Sequence, residues 1–193
     1  MRLFVVCIFL LHACSCCHAQ FFAADVKMKP GYRQAAGEFM TWLMFEDTVY
    51  NYNNDTALLN ENVVWGDLMD CCDDLFEEPG RFTKKEEKYV RKQVRKMRYK
   101  KWRLQTGLPV RLITADTLKR IFKDGMFNGW TYIREELHNY LTSYSMPVFL
   151  RNYTVCILNY ETRNGPLTGT SKTNIYKKEN GKWVLAETVC HII

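Results

Sequence analysis

The sequence predicts an α+β fold, and three observations carry that reading. Apolar residues recur at helical spacing between Tyr32 and Tyr144, period-two alternation takes over after Pro147, and Asn-Gly pairs punctuate the alternating part. Helices therefore come first and an antiparallel meander last. The length past the first 19 residues suits one domain, which at that size buries roughly 70% of the surface its unfolded chain exposes.

The chain opens MRLFVVCIFLLHACSCCHAQ, with Arg2 as its only charge, an apolar run from Leu3 to Cys14, and Ala19 just before Gln20. That run is shorter than the roughly 20 residues a membrane span needs, and Ala19 is the small residue that cleavage requires. Residues 1–19 are therefore expected to be a secretory signal peptide and residues 20–193 a single secreted, extracellular α+β domain. Nucleic acid is then not an expected partner. Asn54-Asp55-Thr56 and Asn152-Tyr153-Thr154 are glycosylation sequons, which matter only on the secretory route.

Without the signal segment, Cys71, Cys72, Cys156 and Cys190 remain, and an oxidising compartment predicts one or two disulfides among them. Joining the neighbours Cys71 and Cys72 needs a strained vicinal ring, so these two are expected to reach toward Cys156 and Cys190. The set contains no Cys-x-x-Cys pair, so no zinc or other metal is expected, nor any cofactor.

From Tyr32 to Val49, Ala36, Phe39, Met40 and Leu43 recur at helical spacing while Trp42, Met44 and Phe45 fill the other side. This predicts a helix buried on most of its circumference. A turn follows, then a short helix from about Asp55 and a short strand at Val63, Val64 and Trp65. Asp67 to Glu78 holds six acids in twelve positions, a pattern that reads as a solvated face. Thr83-Lys84-Lys85-Glu86 fits a capping box opening a basic helix of about twenty residues, with Gly107 just past its end. Its Val90, Val94 and Met97 form a narrow apolar stripe.

Leu108 to Ile113 reads as a short strand and Asp116 to Lys123 as one or two helical turns closed by Gly125. Asn128 to Tyr144 reads as a helix with Ile133, Leu137, Tyr140, Leu141 and Tyr144 on one face, stopped by Pro147. The remainder reads as three strands, VFLRNYTVCILNYET, LTGTSKTNIYKK and KWVLAETVCHII, with Asn164-Gly165 and Asn180-Gly181 in the gaps. Asn-Gly favours a tight hairpin because both central positions can take positive φ. A two-residue turn at Asn180-Gly181 sets Glu179 opposite Lys182, Tyr176 opposite Leu185 and Asn174 opposite Glu187. Trp183, Leu185, Glu187, Val189 and His191 then share one face. Cys156 and Cys190 fall two strands apart, about 10 Å, where a disulfide tolerates less than about 7 Å, so they are not expected to pair with each other.

A long buried first helix, the segment VVWGD, the helix in FNGWTYIREELHNYL and a closing NGKWVLAETVCHII together resemble the nuclear transport factor 2-like superfamily, including small secreted members found in nematodes. The resemblance spans Tyr32 to Asp70 and Asn128 to Ile193. It implies a curved antiparallel sheet packed with helices into a cone around a pocket, with residues 71–127 as an additional helical insertion. Trp183, Leu185, Val189 and Tyr176 are its pocket candidates, and a small apolar ligand suits such a pocket. Enzymes of the superfamily, such as ketosteroid isomerases and scytalone dehydratase-like proteins, move protons with Asp, Tyr or His inside the cone. By that analogy Glu187 and His191 are catalytic candidates, with His138, Asp47 and Tyr50 further off. The sequence has no Gly-rich phosphate loop, nucleophile elbow or His-Glu-x-x-His motif, so the first reading is a secreted non-catalytic binding protein and the alternative a small isomerase- or dehydratase-type pocket enzyme.

From Lys84 to Arg103 there are eleven Lys or Arg and two Glu, a net of +9 against +6 for the whole chain. Arg91, Lys92, Arg95, Lys96, Lys100, Lys101 and Arg103 are the candidates for holding a polyanion. Outside the cell that means a glycosaminoglycan first and an anionic membrane surface second, with Trp102 and Met97 placed to enter the headgroup layer. The plainer reading has these cations balancing the acidic run and facing water. A processing protease at Arg95-Lys96-Met97-Arg98 is a third reading, one that a folded helix would obstruct.

Overall fold

The computed structural model describes residues 21–23, 29–45, 57–62, 72–97, 101–104, 110–137 and 140–192. Its first half contains β1 (Phe21–Ala23), α1 (Pro30–Phe45), β2 (Ala57–Asn60), α2 (Cys72–Glu77), α3 (Lys84–Met97) and β3 (Trp102–Leu104). Then follow β4 (Val110–Ile113), α4 (Ala115–Ile121), α5 (Met126–Glu135), β5 (Leu141–Tyr144), β6 (Val148–Leu150), β7 (Val155–Arg163), β8 (Gly169–Glu179) and β9 (Lys182–Ile192). The expected signal segment, Asn54, Val63 to Trp65, Lys100 and His138 lie outside the described residues.

The α+β class stands, but the sheet is mixed where the sequence predicted an antiparallel one. Seven strands form it, in the order β4-β2-β5-β7-β8-β9 with β6 also on β7, and it stays open, ending on β4 and β9. β2 runs parallel to both β4 and β5. Ala57–Asn60, expected to be helical, is therefore an interior strand. Leu59 is buried in the main core and Leu58 in a second cluster with Ile113, Trp130, Ile133 and Leu141. A strand buried on both faces shows no alternation, so the sequence carries no period-two signal for it.

α1 buries Ala35, Ala36, Phe39, Met40, Leu43 and Met44, the face its spacing predicts. Phe39 is its anchor, with ring centroids 5.1 Å from both Tyr176 and Trp183 in edge-on arrangements. Each such pair contributes about 0.5–1.5 kcal/mol beyond the area it buries. At the head of the helix, Tyr32 donates to the Pro147 carbonyl at 2.7 Å, and burial pushes its phenol well above the usual range.

Four further expectations need correction. The basic helix ends at Met97 and Trp102 begins a strand, because the indole is drawn into the core at 1% exposure and donates to the Tyr144 carbonyl at 3.1 Å. The helix from Asn128 ends at Glu135, and Leu141–Tyr144 is β5, held between β2 and β7. The first strand of the meander is two strands, β6 and β7, which pair antiparallel after a reversal with Arg151, Asn152 and Tyr153 all at positive φ. Asn164-Gly165 lies in a longer loop closed by Asn164 N donating to the Thr168 carbonyl, so Arg163 pairs with Gly169.

The turn at Asn180-Gly181 forms as predicted, with φ of 51° and 82°, and Glu179 faces Lys182. A first bulge after Leu185 then places Glu187 opposite Ile175 and Thr188 opposite Asn174, and a second after Thr188 places Cys190 opposite Thr173. Bulges interrupt alternation and increase local bend and twist. Past Leu185 they break the alternation predicted to put Glu187, Val189 and His191 on the face of Trp183, and even ahead of them Trp183 is buried while Leu185 is 43% exposed.

Residues 71–127 are built into the domain. Leu75, Val90, Val94, Met97 and Trp102 belong to the same core cluster as Phe39 and Tyr176, and β4 is a strand of the sheet.

Candidate functional site

The pocket candidates do not converge on a cavity-facing group. Tyr176 and Trp183 are interlocked with Phe39, Val189 packs partly against the core, and Leu185 points outward. Glu187 is held in an ion pair with Arg81 at a side-chain exposure of 41%. Arg81 also bonds Glu78 and the carbonyls of Asp74 and Leu75, tying the end of α2 to β9. A carboxylate this exposed and paired with a guanidinium is committed to an ion pair at the surface and is not enclosed by an apolar wall. His191 lies opposite Lys172 on β9, with its side chain outside the described residues. Asp47 and Tyr50 are likewise outside them.

The basic helix α3 is the best-defined candidate element. Its N-terminus carries the predicted capping box: the Thr83 amide donates to Glu86 at 2.8 Å and the Glu86 amide to Thr83 Oγ1 at 3.2 Å. Arg151 Nε donates to the same carboxylate at 2.9 Å. The Arg151 bond, followed by the Thr83 amide, lowers the Glu86 carboxyl to about 2, and Glu86 in turn raises the Arg151 guanidinium.

On the inner side Val90, Val94 and Met97 are buried. Opposite them, Lys85, Lys88, Lys92, Arg95 and Lys96 are exposed. At about 100° per residue these five fall within about a third of the helix circumference. None has a carboxylate partner among the described residues. The two acids of the helix are engaged elsewhere: Glu86 with Arg151, and Glu87 with Arg91 at 3.2 Å and Lys84 at 3.6 Å. Among its described residues, the acidic run places no carboxylate on the stripe either. Within its described part, Glu78 pairs with Arg81 while Asp74 and Glu77 are exposed.

The sequence-derived set is thus redistributed. Lys92, Arg95 and Lys96 share the exposed stripe, whereas Arg91 is drawn to Glu87 and lies 4.8 Å over the Phe76 ring. Lys101 pairs with Glu61 at 3.2 Å, whose carboxyl is lowered mainly by the Ala115 amide. The Arg103 side chain lies outside the described residues. Lys85 and Lys88 were missed, although their spacing opposite Val90, Val94 and Met97 is legible once the apolar stripe defines the inner face. Trp102 and Met97 are buried, which corrects the expectation that they enter a headgroup layer.

Cys156 is a free thiol, fully buried on β7 between Phe149 and Tyr176, and burial pushes its pKa well up. It is therefore withdrawn as a disulfide partner, while Cys190 is not among the free thiols. Asn152 is exposed on the left-handed reversal between β6 and β7. Among the described residues no His, Cys, Asp and Glu group could hold a metal ion, and no helix is long and apolar enough to cross a membrane. In comparisons with known proteins, no family model, curated protein or solved structure matches the chain.

Proposed function

We propose that this chain is a secreted, non-catalytic binding protein built on a nuclear transport factor 2-like cone, and that it engages an anionic partner through the outer face of α3. The observation that carries this reading is the set of five exposed cations, unpaired among the described residues, on one side of a helix whose own acids are occupied. The cone is supported by α1 lying against the long meander and by the two bulges that bend β9. The commitment of Glu187 to Arg81, and of Tyr176 and Trp183 to Phe39, favours binding over pocket catalysis.

The test is elution of the secreted chain from immobilised heparin. Replacing Lys85, Lys88, Lys92, Arg95 and Lys96 with Ser lowers the eluting salt concentration sharply, because each lost cation removes one counterion-releasing contact. An elution profile unchanged by all five substitutions contradicts the reading.

A further inference from the structure

Resting on the reading of α3 as an anion-binding face, we infer that its partner is a linear sulfated polysaccharide chain lying along the helix, and not a lipid headgroup surface. Four observations separate these two partners.

The first is the shape of the charge. Lys85 to Lys96 spans eleven residue steps of α3, about 17 Å at 1.5 Å per residue, and the cations run along the axis as a stripe. A stripe one helix long and a third of a helix wide matches a chain, whereas a planar surface would draw on cations from several elements.

The second is spacing. The side chains of Lys84, Glu87, Lys88, Arg91, Lys92 and Arg95, all on one side of α3, leave an open, shallow groove of about 500 Å³ between them. Successive sulfates of a polymer can sit between cations one helical turn apart.

The third is the fate of the apolar groups. Helices that bind membranes lay an apolar face into the headgroup boundary. In α3 that face is consumed by the protein's own core, where Val90 and Val94 are fully buried and Met97 and the neighbouring Trp102 nearly so. Beside the exposed Tyr89, what α3 leaves to offer is charge, and charge suits a polyanion without an acyl phase.

The fourth is the state of the groove's acid. Glu87 is bonded by Arg91 and lies near Lys84, so its charge is offset before a ligand arrives. Lys88, Lys92 and Arg95 then face the groove with a net positive field, and Arg95 supplies a planar fork suited to paired sulfate oxygens.

The experiment compares three probes on the secreted chain by titration at several salt concentrations: a heparin-derived oligosaccharide, the same oligosaccharide desulfated, and phosphatidylserine-containing vesicles. The sulfated oligosaccharide should bind, and the desulfated one and the vesicles should not. For the variant carrying Lys88→Ser, Lys92→Ser and Arg95→Ser, the slope of log K against log salt should fall by about 2, taking about 0.7 per contact as for a single-stranded polyanion. A control carrying Lys119→Ser and Lys123→Ser, exposed on and just after α4, should keep the wild-type slope. Thermal melts establish that both variants fold, and Lys92→Ser rescued by Lys92→Arg gives the same answer in a milder form. Binding to vesicles without binding to the oligosaccharide overturns the polysaccharide assignment and leaves the anionic-partner reading standing. Equal binding of the desulfated probe overturns the role of sulfate, and an unchanged slope in the triple variant overturns the placement on α3. Binding to none of the probes overturns both this inference and the reading beneath it.

Discussion

Replacing Glu86 with Ala tests how α3 is fixed to the rest of the domain. The substitution removes the acceptor for the Thr83 amide at 2.8 Å and for Arg151 Nε at 2.9 Å. A lost capping interaction costs about 0.5–2 kcal/mol, and a largely surface ion pair adds at most about 1 kcal/mol. The expected loss is therefore about 1–2 kcal/mol, or about 2–8 °C in Tm for a chain of this size. The pH dependence gives a second check. The Glu86 carboxyl is held at about 2 in the folded state, below its unfolded value of about 4.3. A carboxylate depressed in this way stabilises the fold above the unfolded value, and that stabilisation fades as pH falls through the folded one. Melts of wild type and Glu86→Ala should thus differ most near pH 6.5 and converge substantially by about pH 2.5. Equal Tm values near neutrality, or a gap that persists unchanged in acid, would refute the argument.

Three further predictions concern covalent chemistry. Cys156 should resist alkylation in the native protein and react only after unfolding, since its thiol is fully buried with a raised pKa. A non-reducing peptide map should join Cys190 to the peptide holding Cys71 and Cys72, and a bridge found at Cys156 would contradict the packing around β7. In a secreting host, Asn152 should carry an N-linked glycan, because its sequon lies on an exposed reversal with Thr154 Oγ1 donating to the Arg151 carbonyl at 2.6 Å. Glycosidase treatment that leaves the mass unchanged would remove the support this sequon gives to secretion.

Local signals were legible wherever the chain decides its own conformation. The capping box at Thr83 to Glu86, the Asn180-Gly181 turn and the apolar face of α1 all form as their residues dictate. Signals failed where tertiary contacts decide. Leu58 and Leu59 face two different clusters, so β2 shows no alternation. Leu137, Leu141 and Tyr144 mimic a helical face by spacing, yet Leu141 and Tyr144 belong to a strand paired on both sides. The reversal at Arg151 to Tyr153 contains neither Gly nor Pro to mark it. The candidate site follows the same rule. The composition of the basic segment marked the helix, but only the burial of Val90, Val94 and Met97 defines its outer face, and only the ion pair with Glu61 sets Lys101 apart from the cations there.

The central claim is that the outer face of α3 holds the partner, and lysine footprinting tests it most directly. The chain is acetylated with and without saturating heparin-derived oligosaccharide, and each modified lysine is quantified by mass spectrometry. Lys85, Lys88, Lys92 and Lys96 should become protected, while Lys119, Lys123 and Lys182, all exposed elsewhere, keep their reactivity. Protection spread evenly over all seven, or concentrated on Lys119 and Lys123, would contradict the assignment of the site to α3.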